Sequence, residues 1–208
     1  MFKKIFGRSD KPRMLSSPVQ LKPGDIVSFK QRRVLPSELQ GEQFEVTAVG
    51  SYQYSADEIN RELTLRGVDN KTYYVLFHEE DGESLLSFSV KLPESVVSRI
   101  FDEEEFSGLW SDDFVTLAVR ERPAEFVSWI ADHYRQQVKE KEAYYYDYDC
   151  VDSVPIYEKG EELRYHECTS NLETHHLSVE VWEGGETDVS LTILCPMDVV
   201  DDMWPGKS

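Results

Sequence analysis

The chain has 208 residues, with 22 Lys and Arg against 40 Asp and Glu, for a formal net charge of −18. Its 40% apolar and 12% aromatic content is enough to bury a core, which excludes global disorder. So acidic a surface also excludes one built to grip phosphate backbones. The acidity fits solubility and self-repulsion, or recognition of a basic protein partner or a polyamine, or mimicry of nucleic acid.

No apolar run approaches the ~20 residues of a membrane span, and the N-terminus lacks the apolar stretch of a secretory signal. The three cysteines, Cys150, Cys168 and Cys195, have no paired spacing and do not read as a disulfide framework. These features point to the cytoplasm. Residues 1–20 read as a flexible basic lead-in. Lys3, Lys4, Arg8, Lys11 and Arg13 face only Asp10 there, so the first 13 residues carry +4 and the remainder −22. Phe2, Ile5 and Phe6, with Lys3 and Lys4 beside them, form a candidate foot on an anionic membrane surface, a peripheral contact at the inner membrane. The plainer reading of such a terminus is a frayed end.

From Leu21 the chain reads as strands. A Pro-Gly turn delivers a short strand over Asp25–Phe29. In "EQFEVTAVGSYQYS" the alternation places Phe44, Val46, Ala48, Tyr52 and Tyr54 on one face, with Gly50 as a bend. "RELTLRG" gives a further strand with Leu63 and Leu65 inward. "TYYVLFHE" and "ESLLSFSVK" meet across Asp81-Gly82, a preferred two-residue hairpin turn. "PESVVSRIF" follows as a helical turn with Pro93 at its start.

Past residue 110, "FVTLAV" reads as a strand. "RPAEFVSWIADHYRQQVKEKE" predicts one long helix: Phe126, Ile130, Tyr134 and Val138 recur every fourth residue, and Glu125, Lys139 and Lys141 suit the helix dipole. "AYYYDYDCV" follows as an extended segment. A second hairpin, with Gly184-Gly185 as its turn, closes the chain before "PMDVVDDMW". That hairpin echoes the first. Shifted by 103 positions without a gap, Glu80, Gly82, Glu83, Ser87, Pro93 and Val96–Val97 fall on Glu183, Gly185, Glu186, Ser190, Pro196 and Val199–Val200. Duplication and shared turn chemistry both account for the echo.

Candidate chemistry is sparse. In "YHECTSNLETHH", pairing of Leu163–Thr169 with Thr174–Val181 would put Cys168 opposite His175 with His166 on the same face, a soft metal donor set or a thiol with a base. A core cysteine with hydrogen-bonded histidines accounts for the same residues. Tyr144, Tyr145, Tyr146, Asp147, Tyr148 and Asp149 form an aromatic, acidic run suited to a basic partner, or a half-buried strand with an acidic outer face. No phosphate-cradling loop and no zinc or hydrolase signature occurs.

"LKPGD", "EVTAVGSYQY", "SFSVKL", "IFD", "WEGGETDVSLTI" and "WPG" together give most of the chain a further reading. It resembles uncharacterised bacterial proteins of the broad YjfK-like type, encoded near PspA-type membrane-stress proteins. The resemblance implies an accessory role beside a membrane-remodelling coat, and no catalytic residue. The expectation is an α+β protein, mainly antiparallel β with hairpins and one principal helix. It divides into a β-rich lobe over 21–110 and an α+β lobe over 111–208, two similar β-rich lobes in all. The expected function is a non-catalytic interaction module, without cofactor, engaging a basic or coiled-coil partner such as a PspA-like coat protein. The alternatives are a metal-dependent or thiol enzyme centred on His166, Cys168 and His175, and an acidic mimic of nucleic acid.

Overall fold

Strands, far more than helices, organise this chain. The computed structural model describes residues 13–80, 82–153 and 160–206, so the candidate membrane foot of Phe2, Lys3, Lys4, Ile5 and Phe6 lies outside the described residues. The protein is mostly antiparallel β, with 48% strand and 13% helix. The first half supplies β1 (Ile26–Phe29), β2 (Gln43–Gln53), β3 (Ile59–Arg66), β4 (Thr72–Glu80) and β5 (Glu83–Lys91). After two short helices, α1 (Glu94–Ile100) and α2 (Glu103–Ser107), come β6 (Thr116–Ala118), β7 (His133–Tyr146), β8 (Glu161–Thr169), β9 (His175–Trp182), β10 (Thr187–Pro196) and β11 (Val200–Trp204).

All eleven strands join one sheet, in the order β11-β1-β2-β3-β4-β5-β10-β9-β8-β7-β6, with an additional β2–β7 pairing. That pairing closes a ring of eight strands from β2 round to β7. Ser51, Tyr52 and Gln53 stand opposite Tyr146, Tyr145 and Tyr144 at the seam. The two expected lobes are therefore not separate: residues before and after 110 each give four strands to one ring.

The halves are related by register. β5 and β10 pair antiparallel with Ser89 opposite Thr192, and these two residues are also 103 positions apart in the chain. A local two-fold axis passes between them. Glu62, Leu76 and Ser87 stand side by side across the first half, and Glu167, Ser178 and Ser190 make the matching row across the second. The 103-residue shift holds from Gly82 and Gly185, both at positive φ (81° and 85°), onward. Upstream of the turns the correspondence slips by one residue, because residues 183–186 form a longer loop between β9 and β10. Gly184 is not at positive φ; Gly185 alone in that loop carries the left-handed conformation.

Alternation gives each strand of the ring two unlike faces. One is apolar: Leu63, Val75, Leu86, Phe88, Leu177, Val179, Leu191 and Ile193 are all buried in the main core. Phe29 of β1, Leu21, Leu35 and Leu39, Val96, Val97 and Ile100 of α1, and Trp129 pack against them. The Phe29 ring meets Phe88 edge-on at 4.9 Å, and Tyr73 stacks on Trp129 at 5.9 Å, arrangements that add specificity to area burial. The other face of the same strands is polar and turns into the ring.

Two expectations are corrected here. The long helix does not form: Ala124–Phe126 is one 3-10 turn, and residues from His133 onward are β7. Residues four apart share a helix face, but four is also even, so they share a strand face too; the spacing could not separate the two. β-pairing on both sides of β7 overrides its helical composition. Irregularities between Gln136 and Val138 and between Val138 and Lys141, with Glu140 at φ 46°, move the strand from one face to the other. Tyr134 and Gln136 thus lie on the core side, whereas Val138, Ala143 and Tyr145 lie with the smaller cluster inside the ring. In β2 the same device operates: a bulge between Val46 and Ala48 leaves Phe44 and Val46 in the core but sends Tyr52 and Tyr54 to the ring interior.

Candidate functional site

The ring encloses a cleft of about 460 Å3 lined from seven of its strands. An eight-stranded antiparallel barrel is about the size at which the interior either fills with side chains or holds one small ligand. Here many of the residues that face inward are short or polar, beside a few leucines and tyrosines. β5 contributes Ser87, Ser89 and Lys91, and β10 contributes Ser190 and Thr192, while β9 adds His176, Ser178 and Glu180. Each alternates with a core residue, so the pattern of a solvated strand face has been folded inward by closure of the seam.

Aromatic side chains form one wall. Tyr52 and Tyr54 stack at 5.8 Å, Tyr54 meets Tyr165 at 5.3 Å, and Tyr145 bridges Tyr52 at 4.9 Å and Trp182 at 5.9 Å. Tyr145 reaches across β2 because Gly50 has no side chain: a Cβ there would stand 2.5 Å from the Tyr145 hydroxyl. The Tyr52 hydroxyl spans the ring to donate to Glu180 Oε2 at 3.2 Å. Burial, reinforced by the charges of Glu180 and Glu62, holds the Tyr52 and Tyr54 hydroxyls well above the usual phenol range, so both stay protonated donors.

Charged side chains stand among the rings. Lys91 Nζ pairs with Asp188 Oδ2 at 2.6 Å and sits 5.2 Å above the Tyr74 ring; Trp182 Nε1 donates to the same carboxylate oxygen at 3.1 Å. His176 Nδ1 pairs with Glu167 Oε1 at 3.0 Å. Ser89 and Thr192 share a hydrogen bond of 2.7 Å on the two-fold axis, and His78 Nε2 meets Ser87 Oγ at 2.9 Å.

Glu62 differs from these. It lines the cleft, is 6% exposed, and makes no hydrogen bond or ion pair among the described residues. Burial, and then the neighbouring charge of Glu180, raise its pKa to about 8, with Lys91 opposing. Glu180 is raised to about 7 by burial, against the pull of Lys91 and of the Tyr52 hydrogen bond. Two carboxyls thus share a cleft in which ionising both is costly.

The residues singled out from sequence go elsewhere. β8 and β9 pair as expected, but Cys168 stands opposite Leu177, and His175 lies beside Ile193 of β10. Cys168 is fully buried in the apolar core, where burial and the charge of Glu167 push its thiol up to about 12. His166 is fully buried under Trp110, with Nδ1 3.2 Å from Gln136 Nε2 and Nε2 unpartnered; burial lowers its pKa. His175 shares a hydrogen bond with Thr174 at 3.0 Å, and burial lowers its pKa as well. Among the described residues no three His, Cys, Asp or Glu side chains come together as a metal set, which corrects the grouping of His166, Cys168 and His175.

The tyrosine run builds the seam of the ring. Tyr145 packs against Tyr52 and Trp182 in the smaller cluster, and Tyr146 is buried with its hydroxyl donating to Gln53 Oε1 at 3.0 Å. Asp149 Oδ2 lies 3.1 Å from Arg61 Nε. Asp147 and Tyr148 remain exposed, and Tyr144 is half-buried. Glu62, Glu180 and Lys91, three of the charged residues that line the cavity, were not singled out from sequence; their only signal was inward-outward alternation, which says nothing of what the polar face meets. No helix among the described residues is long and apolar enough to cross a membrane. Scans against protein-family models, curated proteins and solved structures each return no match for this chain.

Proposed function

We propose that this chain is a non-catalytic binding protein whose strand ring holds a small polar molecule in its cavity. The observation that carries the reading is Glu62, a buried carboxyl without a partner, facing a cleft large enough for a ligand. A carboxyl that is largely withdrawn from bulk water, makes no bond within the described residues and faces a cleft is free to accept a ligand's donor. The cleft's volume lies within the range of small-molecule sites, about 300–1,000 Å3. Its fixed donors and acceptors on paired strands, set among aromatic rings, match the composition of such sites.

Native mass spectrometry of protein purified at neutral pH and low salt tests this. A bound small molecule is expected, and it is expected to be lost from Ser178→Trp and Ser87→Trp, which fill the cleft from two sides. Circular dichroism confirms that both variants fold. Protein that carries no ligand, and whose melting temperature is unmoved by a library of polar metabolites, would refute the proposal.

A further inference from the structure

We infer that the ligand of this cavity is an extended organic cation bearing one or more ammonium groups, bound between Glu62 and Glu180 against the tyrosine wall. The inference rests on the binding-protein reading and adds the chemical class. The charges facing the cleft support it. Lys91 is engaged by Asp188, and His176 by Glu167. That leaves, among the buried acids of the cleft, Glu62 with no partner and Glu180 with a neutral phenol donor, so two buried acids remain without an ion pair among the described residues, while Glu58 on the same wall is exposed.

An anion would meet two carboxyls. A neutral polyol would find hydroxyls enough, but would leave no reason for an excess of buried acids. A bare metal ion needs several ligands converging on one point, and among the described residues no such group of three exists. An amine meets each requirement. Its N–H groups donate to carboxylates, with charge on both partners strengthening the bond. Its methylenes lie along the apolar parts of the rings, and its charge is attracted to the faces of Tyr52, Tyr54 and Tyr165.

Three four-carbon probes separate the charge classes by isothermal calorimetry at pH 7: putrescine, 1,4-butanediol and succinate, with spermidine as a longer cation. Putrescine or spermidine is expected to bind, and the diol and the diacid are not. Binding is expected to release on the order of one proton per site, read from the dependence of the heat on buffer ionisation enthalpy, because the empty cavity holds protons on its acids at that pH. Glu62→Gln and Glu180→Gln are each expected to weaken binding about tenfold or more, while the exposed Glu103→Gln leaves it unchanged. A preference for the diol or the diacid, or full affinity in Glu62→Gln, overturns the inference. If native mass spectrometry finds a neutral or anionic molecule that Ser178→Trp expels, the charge class falls and the binding-protein reading stands. If neither amine binds and no molecule is retained, both fall.

Discussion

Replacing Glu62 by Gln keeps the shape of the side chain and removes its charge, and the structure sets both the direction and the size of the effect. Burial first, and Glu180 second, move the carboxyl from 4.5 to about 8. At about 1.4 kcal/mol per pKa unit, a rise of this size represents on the order of 5 kcal/mol of opposition to ionisation in the folded protein. Between these two values the folded state holds a proton that the unfolded chain has released. Stability is therefore lost as pH rises through that window, and the loss is complete above the folded value. About 3 kcal/mol of it falls between pH 5 and pH 8. Glu62→Gln has no such proton to lose. Its advantage over the wild type is expected to be small at pH 5 and to widen by about 3 kcal/mol by pH 8, as measured by urea denaturation of both proteins across that range. Curves that run parallel from pH 5 to pH 8 would show that Glu62 ionises freely, and the account of Glu62 as a desolvated, unpaired acid would be wrong.

Other positions carry equally direct expectations. Gly50→Ala drives a methyl group into the Tyr145 hydroxyl and ring, with approaches of 2.5–2.9 Å; thermal or urea unfolding is expected to show a loss of about 1–3 kcal/mol. In combination with Tyr145→Ala the two effects should be strongly non-additive, and simple additivity would refute the contact. All three cysteines are at most 2% exposed, with Cys168 and Cys195 thiols pushed up to about 12 by burial. A chromogenic disulfide reagent is therefore expected to titrate three thiols in denaturant and essentially none in the native protein; rapid native reaction of Cys168 would reopen a nucleophilic role for it.

Strand periodicity made much of this fold legible. β1, β3, β4, β5 and β6 fall where alternation placed them, and both hairpins form. What periodicity missed has local causes. One extra residue near Thr47 exchanges the two faces of β2, so Phe44 and Tyr52, read as neighbours on one face, serve the core and the cavity respectively. In β7, the fourfold spacing of Ile130, Tyr134 and Val138 satisfied a helix and a strand alike, and only the pairing with β8 decides. The cavity was hidden for a different reason. Ser87, Ser89, Ser178, Ser190 and Thr192 look like solvent-facing residues because the polar face of a closed ring and that of an open sheet are written identically. Closure depends on the seam between Tyr52 and Tyr145, residues nearly a hundred positions apart, and no short-range pattern encodes it.

The two-fold register has an evolutionary corollary. Two identical chains, each half this length, could assemble a ring of the same register as a homodimer, but every cavity residue would then occur twice. Joined in one polypeptide, the halves are free to diverge at equivalent sites. Glu62 faces the ring without a partner where its counterpart Glu167 is hydrogen-bonded to His176, and Glu180 occupies the position that His78 holds in the first half. The backbone keeps a symmetry that the side chains have abandoned. A lopsided molecule can therefore be held in one orientation, a discrimination beyond the reach of the symmetric dimer.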